Sequence, residues 1–251
     1  EPDADTYSFW RSFVPSMTPR WTGPLFNWTV PSHNVEGRRR FGLVPPPHEP
    51  AAGEWELWRY RAIVDPSIVD PASRDGTAPV TLVNWVQMDY WLRPLLGVDR
   101  EARQSALSAA REQSLCLLHW MRTAAPRHDT DSRTGYPELR LMPDVLGTRD
   151  GFAMAPYIRE PRRLVARTIV TEADLGTEQR TQSGHDRDDN WDATPFGTAR
   201  TFRDSVGIGH YPIDLHPSCA GRNSVYVAAA PFQIPLGALL PVRVRNVLAA
   251  G

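Results

Sequence analysis

The sequence contains no lysine, so all 28 basic residues are arginines. This excludes Schiff-base catalysis by a lysine amine and the phosphate-binding lysine of a P-loop. Two readings of the arginines stay open. One is the compositional bias of a GC-rich genome. The other is anion recognition, because the guanidinium fork matches carboxylate and phosphate. Cysteine is nearly absent. Cys116 and Cys219 are the only two, and neither belongs to a CxxC pair. A disulfide framework and a thiolate metal site are thereby excluded, and a reducing, cytoplasmic setting is the expectation. No apolar run approaches the roughly 18 residues that a membrane-spanning helix needs, so no membrane contact is expected. The formal net charge of -1 removes the electrostatic case for a nucleic-acid partner. The chain starts at Glu1 without Met or a signal peptide, which suggests a mature form or an excised piece. GxSxG, HExxH and GxGxxG are all missing, so those hydrolase, zinc and dinucleotide motifs lend no support.

What is present suffices for a folded chain. The 251 residues are 41% hydrophobic and 23% charged, which argues against disorder. Proline (24) and tryptophan (9) are abundant, and residues 1–50 are dense in both. Prolines there forbid long helices. Phe26–Val30 reads as a strand. Trp10, Phe13, Trp21, Phe26 and Trp28 either pack onto a core or form a sugar-stacking platform.

Further along, Glu54–Val64 and Pro79–Trp85 read as an antiparallel strand pair. Asp99–Ala125 is the clearest helix: Asp99 suits the N-cap, apolar residues recur at helical spacing, and Pro126 ends it. Leu139–Met142, Leu164–Thr171, Val225–Phe232 and Val242–Ala249 are strand candidates. Residues 171–174 (TEAD) resemble a capped helical turn, and 179–194 read as an exposed polar loop. One long helix among separated strands predicts an α+β fold with a mainly antiparallel sheet.

Three clusters could carry chemistry. The acidic loop His185–Asp192 and the stretch His128–Asp131 offer oxygen and nitrogen ligands, but without the spacing of a known metal site. No metal is therefore assigned. Arg159, Arg162 and Arg163 precede a predicted strand and could hold an anion, or pair with Glu160. In the stretch 204–216, Asp214 and His216 stand two apart, so on a strand they share a face. A carboxylate beside an imidazole raises its basicity and fixes its tautomer. Gly207 and Gly209 admit a close approach by a ligand or another backbone.

Taken in order, these pieces resemble one family. They are Tyr157–Leu164 (YIREPRRL), 204–216 (DSVGIGHYPIDLH), 231–241 (PFQIPLGALLP) and 242–251 (VRVRNVLAAG). The set is similar to FAD-dependent oxidoreductases with a glutathione-reductase-like flavin domain. Trp85–Trp91 (WVQMDYW) also looks similar to a family segment. The resemblance implies a Rossmann-like FAD/NAD(P)-binding domain with a β-rich substrate domain inserted into it. Residues 1–230 are then the substrate (cap) domain, and 231–251 are a segment returning to the FAD-binding domain. The implied cofactor is FAD, and the implied partners are a small-molecule substrate and the missing FAD-binding portion of a longer chain. His216, Asp214 and Arg159 would be catalytic. Arg162, Arg163 and Tyr211 would bind substrate. Gln233, Ile234, Pro235, Leu236, Asn246, Ala250 and Gly251 would lie at the cofactor. The rival readings are a carbohydrate-binding module built on the Trp-rich first half and, last, a metal-dependent hydrolase.

Overall fold

The computed structural model describes residues 29–31, 38–43, 54–73, 78–84, 89–90, 92–159, 162–182, 198–216, 218–219 and 225–249. The chain forms two compact units. One comprises residues 1–158 and 217–223; the other comprises 159–216 and 224–251. The fold mixes helix and strand, with small sheets and one long helix.

In the first unit, β1 (Thr29–Pro31) pairs antiparallel with β2 (Arg38–Gly42), which pairs parallel with β3 (Glu54–Glu56). The predicted strand over 54–64 is broken in two. Leu57–Tyr60 forms a helical turn, α1, and only Ala62–Val64 continues extended as β4. The segment WELWRY alternates too poorly for either period to prevail, and the Glu56–Arg59 ion pair at helical spacing (3.1 Å) favours the turn. β4 pairs antiparallel with β5 (Val80–Thr81), which lies near the start of the second predicted strand.

The long helix, α2, spans Arg100–Thr123. The Asp99 carboxylate accepts the Ala102 N–H at 2.7 Å and closes its N-terminus. Ala106, Cys116 and Leu117 are fully buried, and Trp120 and Met121 nearly so. Cys116 is thus a packed thiol, whereas Cys219 is exposed. Gln113, also buried, donates its amide to the Asp89 carbonyl at 3.0 Å, tying the 89–90 segment to the helix. At the other end the chain folds back. Tyr136 N–H reaches the Met121 carbonyl (2.9 Å) and Gly135 N–H the Ala125 carbonyl (2.7 Å), satisfying the carbonyls a helix end leaves open. Arg127 locks this return. It forms a two-pronged bond to Asp129 (both 2.7 Å), donates to the Gly135 carbonyl (2.9 Å) and lies over the Tyr136 ring. The Tyr136 hydroxyl accepts the His128 N–H at 2.9 Å. Asp129 is therefore committed to an arginine. Among the described residues, no group of three or more His, Cys, Asp and Glu could hold a metal.

Three predicted strands are not strands. Leu139–Met142 has no ladder and leads into the helical turn α3 (Pro143–Leu146). Leu164–Thr171 makes one isolated bridge, Ala166 to Pro241, and Val242–Ala249 makes none. Both are rich in β-branched residues, but a strand needs a partner to satisfy its second edge, and local propensity supplies none. The polar stretch from 179 begins in helix: α4 (Glu172–Leu175) is followed by α5 (Thr177–Gln182). Its remainder, with the His185–Asp192 loop, lies outside the described residues, as do Trp10, Phe13, Trp21, Phe26 and Trp28. The capped turn at 171–174 is present. The Asp174 carboxylate accepts both the Thr171 N–H (2.7 Å) and its hydroxyl (2.8 Å).

Candidate active site in the second unit

The second unit is organised around an interrupted antiparallel ribbon. β6 (Ser205–Gly209) pairs with β9 (Phe232–Pro235), and β7 (Ile213–Leu215) pairs with β8 (Val225–Val227). Between the two ladders lie 210–212 on one side and 228–231 on the other, three residues against four. Pro212 and Pro231 fall in this gap, and each lacks the N–H a ladder needs. Residues 175–177 fill it instead. Thr177 N–H bonds the Ala228 carbonyl (2.8 Å), and Ala230 N–H bonds the Leu175 carbonyl (3.0 Å). The α4–α5 corner thus pins the stretch of the ribbon between β8 and β9. Asp174 holds the corner itself by accepting from Arg200 (3.3 Å).

β7 delivers the predicted pair. Asp214 is its central residue and His216 directly follows it. His216 Nε2 stands 3.7 Å from Asp214 Oδ2. That is ion-pair range for a protonated imidazole and longer than a hydrogen bond. The imidazole is 13% exposed and the carboxylate 26% exposed, so both are sheltered yet reachable. Sequence reasoning missed a third member of this face. Tyr226 is the cross-strand partner of Asp214 in the β7–β8 register, and directly opposed residues share a face. Its only sequence signal is the alternation VYV, which does not say what it faces. Tyr211, just before β7, is exposed.

The remaining predicted residues sit elsewhere in the unit. Arg159 is half-buried, and Arg162 and Arg163 are exposed, on the segment leading to the Ala166–Pro241 bridge. Gln233, Ile234 and Pro235 belong to β9, a different ladder from Asp214 and His216, and Leu236 opens a helical turn, α6 (Leu236–Leu239). The Gln233 side-chain carbonyl accepts the Phe202 N–H at 2.6 Å, and Pro235 is fully buried. The space beside Gly209 is taken by the protein itself: a Cβ there would lie 2.7 Å from the Phe232 ring. Asn246 adopts φ +60°, the left-handed region that asparagine tolerates best after glycine. Ala250 and Gly251 lie outside the described residues.

A dinucleotide cofactor needs a seat for its diphosphate, usually glycines at a helix N-terminus. The N-termini of α2 and α6 do not fit that need. The N-terminus of α2 is closed by the Asp99 carboxylate, which repels phosphate. Gly237 N–H is given to Asp204 Oδ2 at 2.8 Å, and a Cβ there would strike the Thr168 hydroxyl.

Comparison with known proteins gives the class. The family model described as FAD dependent oxidoreductase matches residues 10–251. The chain belongs to this family, which implies an FAD cofactor and flavin oxidoreductase chemistry. No curated protein and no solved structure matches the chain. The match runs through the Trp-rich first half as well, and nothing among the described residues favours a carbohydrate-binding module. No helix among the described residues is long and apolar enough to cross a membrane.

Proposed function

We propose that residues 1–230 form the substrate (cap) domain of a cytoplasmic FAD-dependent oxidoreductase acting on a small organic molecule. In this reading residues 231–251 return to the flavin domain, and residues outside 1–251 hold the FAD diphosphate. The misfit at Asp99 and Gly237 supports that last point. FAD, when bound, supplies the electron-transfer chemistry.

The observation carrying the proposed roles is the Asp214–His216 pair on one face of the ribbon. His216 gives or takes the substrate proton as general acid or base. Asp214 stabilises the imidazolium as the proton arrives and orients the ring. Closure over substrate shortens the 3.7 Å separation, as catalytic contacts commonly do. Arg159, Arg162 and Arg163 hold an anionic substrate group, and Tyr211 offers it a hydroxyl. Gln233, Ile234, Pro235, Leu236, Asn246, Ala250 and Gly251 border the flavin. With Gln233 tied to Phe202, β9 presents backbone and apolar surface there.

Expression of residues 1–251 alone tests the division of labour. The protein is expected to purify colourless. Stoichiometric yellow FAD on the isolated chain would contradict it.

A further inference from the structure

The β7–β8 ladder has two unlike faces. Its register opposes Ile213 to Val227 and Leu215 to Val225, so one face is wholly aliphatic. The other face opposes Asp214 to Tyr226, and His216 continues the Asp214 side two residues on. All of these residues are half-buried. The aliphatic face supplies the ladder's apolar packing. Tyr226, the largest side chain of the two strands, stands instead with the ionisable pair. No other titratable side chain lies in β7 or β8. The α4–α5 corner, bonded to 228 and 230, adds Glu172, Asp174, Glu178 and Arg180, and Asp174 there is paired with Arg200.

Among the described residues, the Asp214 carboxylate meets one charged partner, His216. At 3.7 Å that contact is too long for a hydrogen bond. No shared proton therefore locks the carboxylate, and the terminal torsion of an aspartate is broad. Being 26% exposed, it could turn away from the imidazole into water. Directly opposed side chains have Cβ atoms about 4.5–5.5 Å apart, so the aromatic ring across the ladder is its nearest neighbour on β8. We propose that Tyr226 is a positioning residue. Its ring blocks the cross-strand side of Asp214 and keeps the carboxylate turned along the strand, toward His216. The inference rests on the pairing of Asp214 with His216 in the proposed function and adds what holds that pair. Tyr226 acts through Asp214, by its ring, and needs no contact with substrate.

The test is an NMR titration of the His216 imidazole in residues 1–251. Asp214→Asn sets the scale. It should lower the titration midpoint by roughly one pH unit, because a carboxylate beside an imidazole favours the charged ring. Tyr226→Val keeps a strand former between Val225 and Val227 but removes the ring. It should lower the midpoint by at least about half as much, since the attraction falls with distance. Tyr226→Phe restores the ring and should match the parent. Lost shelter alone would act in the opposite direction, because water let in beside His216 favours the imidazolium and raises the midpoint. A fall therefore reports the departure of the carboxylate rather than a loosened ribbon. Amide spectra of β7 and β8 verify that each variant is folded, and Tyr226→Leu replaces Tyr226→Val if the latter is not. An unchanged or raised midpoint in Tyr226→Val, or a fall as large in Tyr226→Phe, overturns this inference and leaves the Asp214–His216 pair standing. An unchanged midpoint in Asp214→Asn overturns the pair, and this inference with it.

Discussion

Gly135 and Asp129 show how single residues fix the first unit. Gly135 holds φ +75°, and a Cβ there would strike the Arg122 carbonyl. Gly135→Ala should therefore cost about 2 kcal/mol or more, read as a lowered denaturant midpoint. Asp129 reports through pH. Its bond from Arg127 lowers its pKa from 3.8 to about 2. A carboxyl whose folded pKa is depressed stabilises the fold above its unfolded pKa and loses that contribution as pH falls through the folded one. Stability should thus decline between about pH 4 and about pH 2. Thermal midpoints of Asp129→Asn should be lower at neutral pH and flatter across that window. Burial pushes the Tyr136 and Tyr90 hydroxyls upward, so both stay protonated at neutral pH. The Asp214–His216 pair was legible from spacing alone, because alternation places i and i+2 on one face. Tyr226 was not, because cross-strand neighbours depend on register, which no local pattern states.

Elements were legible where one short stretch carried its own start, stop and period. Helix α2 is the example. Asp99, the apolar recurrence and Pro126 bounded it to within two residues of Arg100–Thr123. Leu117→Ala, at a fully buried position of that helix, should cost roughly 3 kcal/mol by leaving a cavity. The α4 corner was equally readable from TEAD. Asp174→Ala removes its cap and the Arg200 pair together, at about 1–2 kcal/mol. Since this corner bonds 228–230, directly after β8, the partner of β7, the same change should broaden the NMR signals of His216. Strand candidates failed where the edge had no partner. Leu164–Thr171 and Val242–Ala249 have strand composition, yet the backbone bond between them is Val242 N–H to the Val165 carbonyl, beside the isolated Ala166–Pro241 bridge, and no ladder follows. Their valines are left exposed between arginines, a combination that composition reads as strand and structure reads as surface.

At the scale of the whole molecule, the chain divides into two units and belongs to a family that works with FAD. Ordered motifs made that family visible where no single motif could, because each short segment is weak and only their sequence is specific. The proposed role of His216 as the group that handles the substrate proton is open to stopped-flow reduction of the FAD-loaded full-length protein by its substrate, comparing wild type with His216→Ala. A reduction rate lowered by roughly 10²–10⁴ is expected, with flavin content unchanged. An unchanged rate at equal flavin content would contradict it.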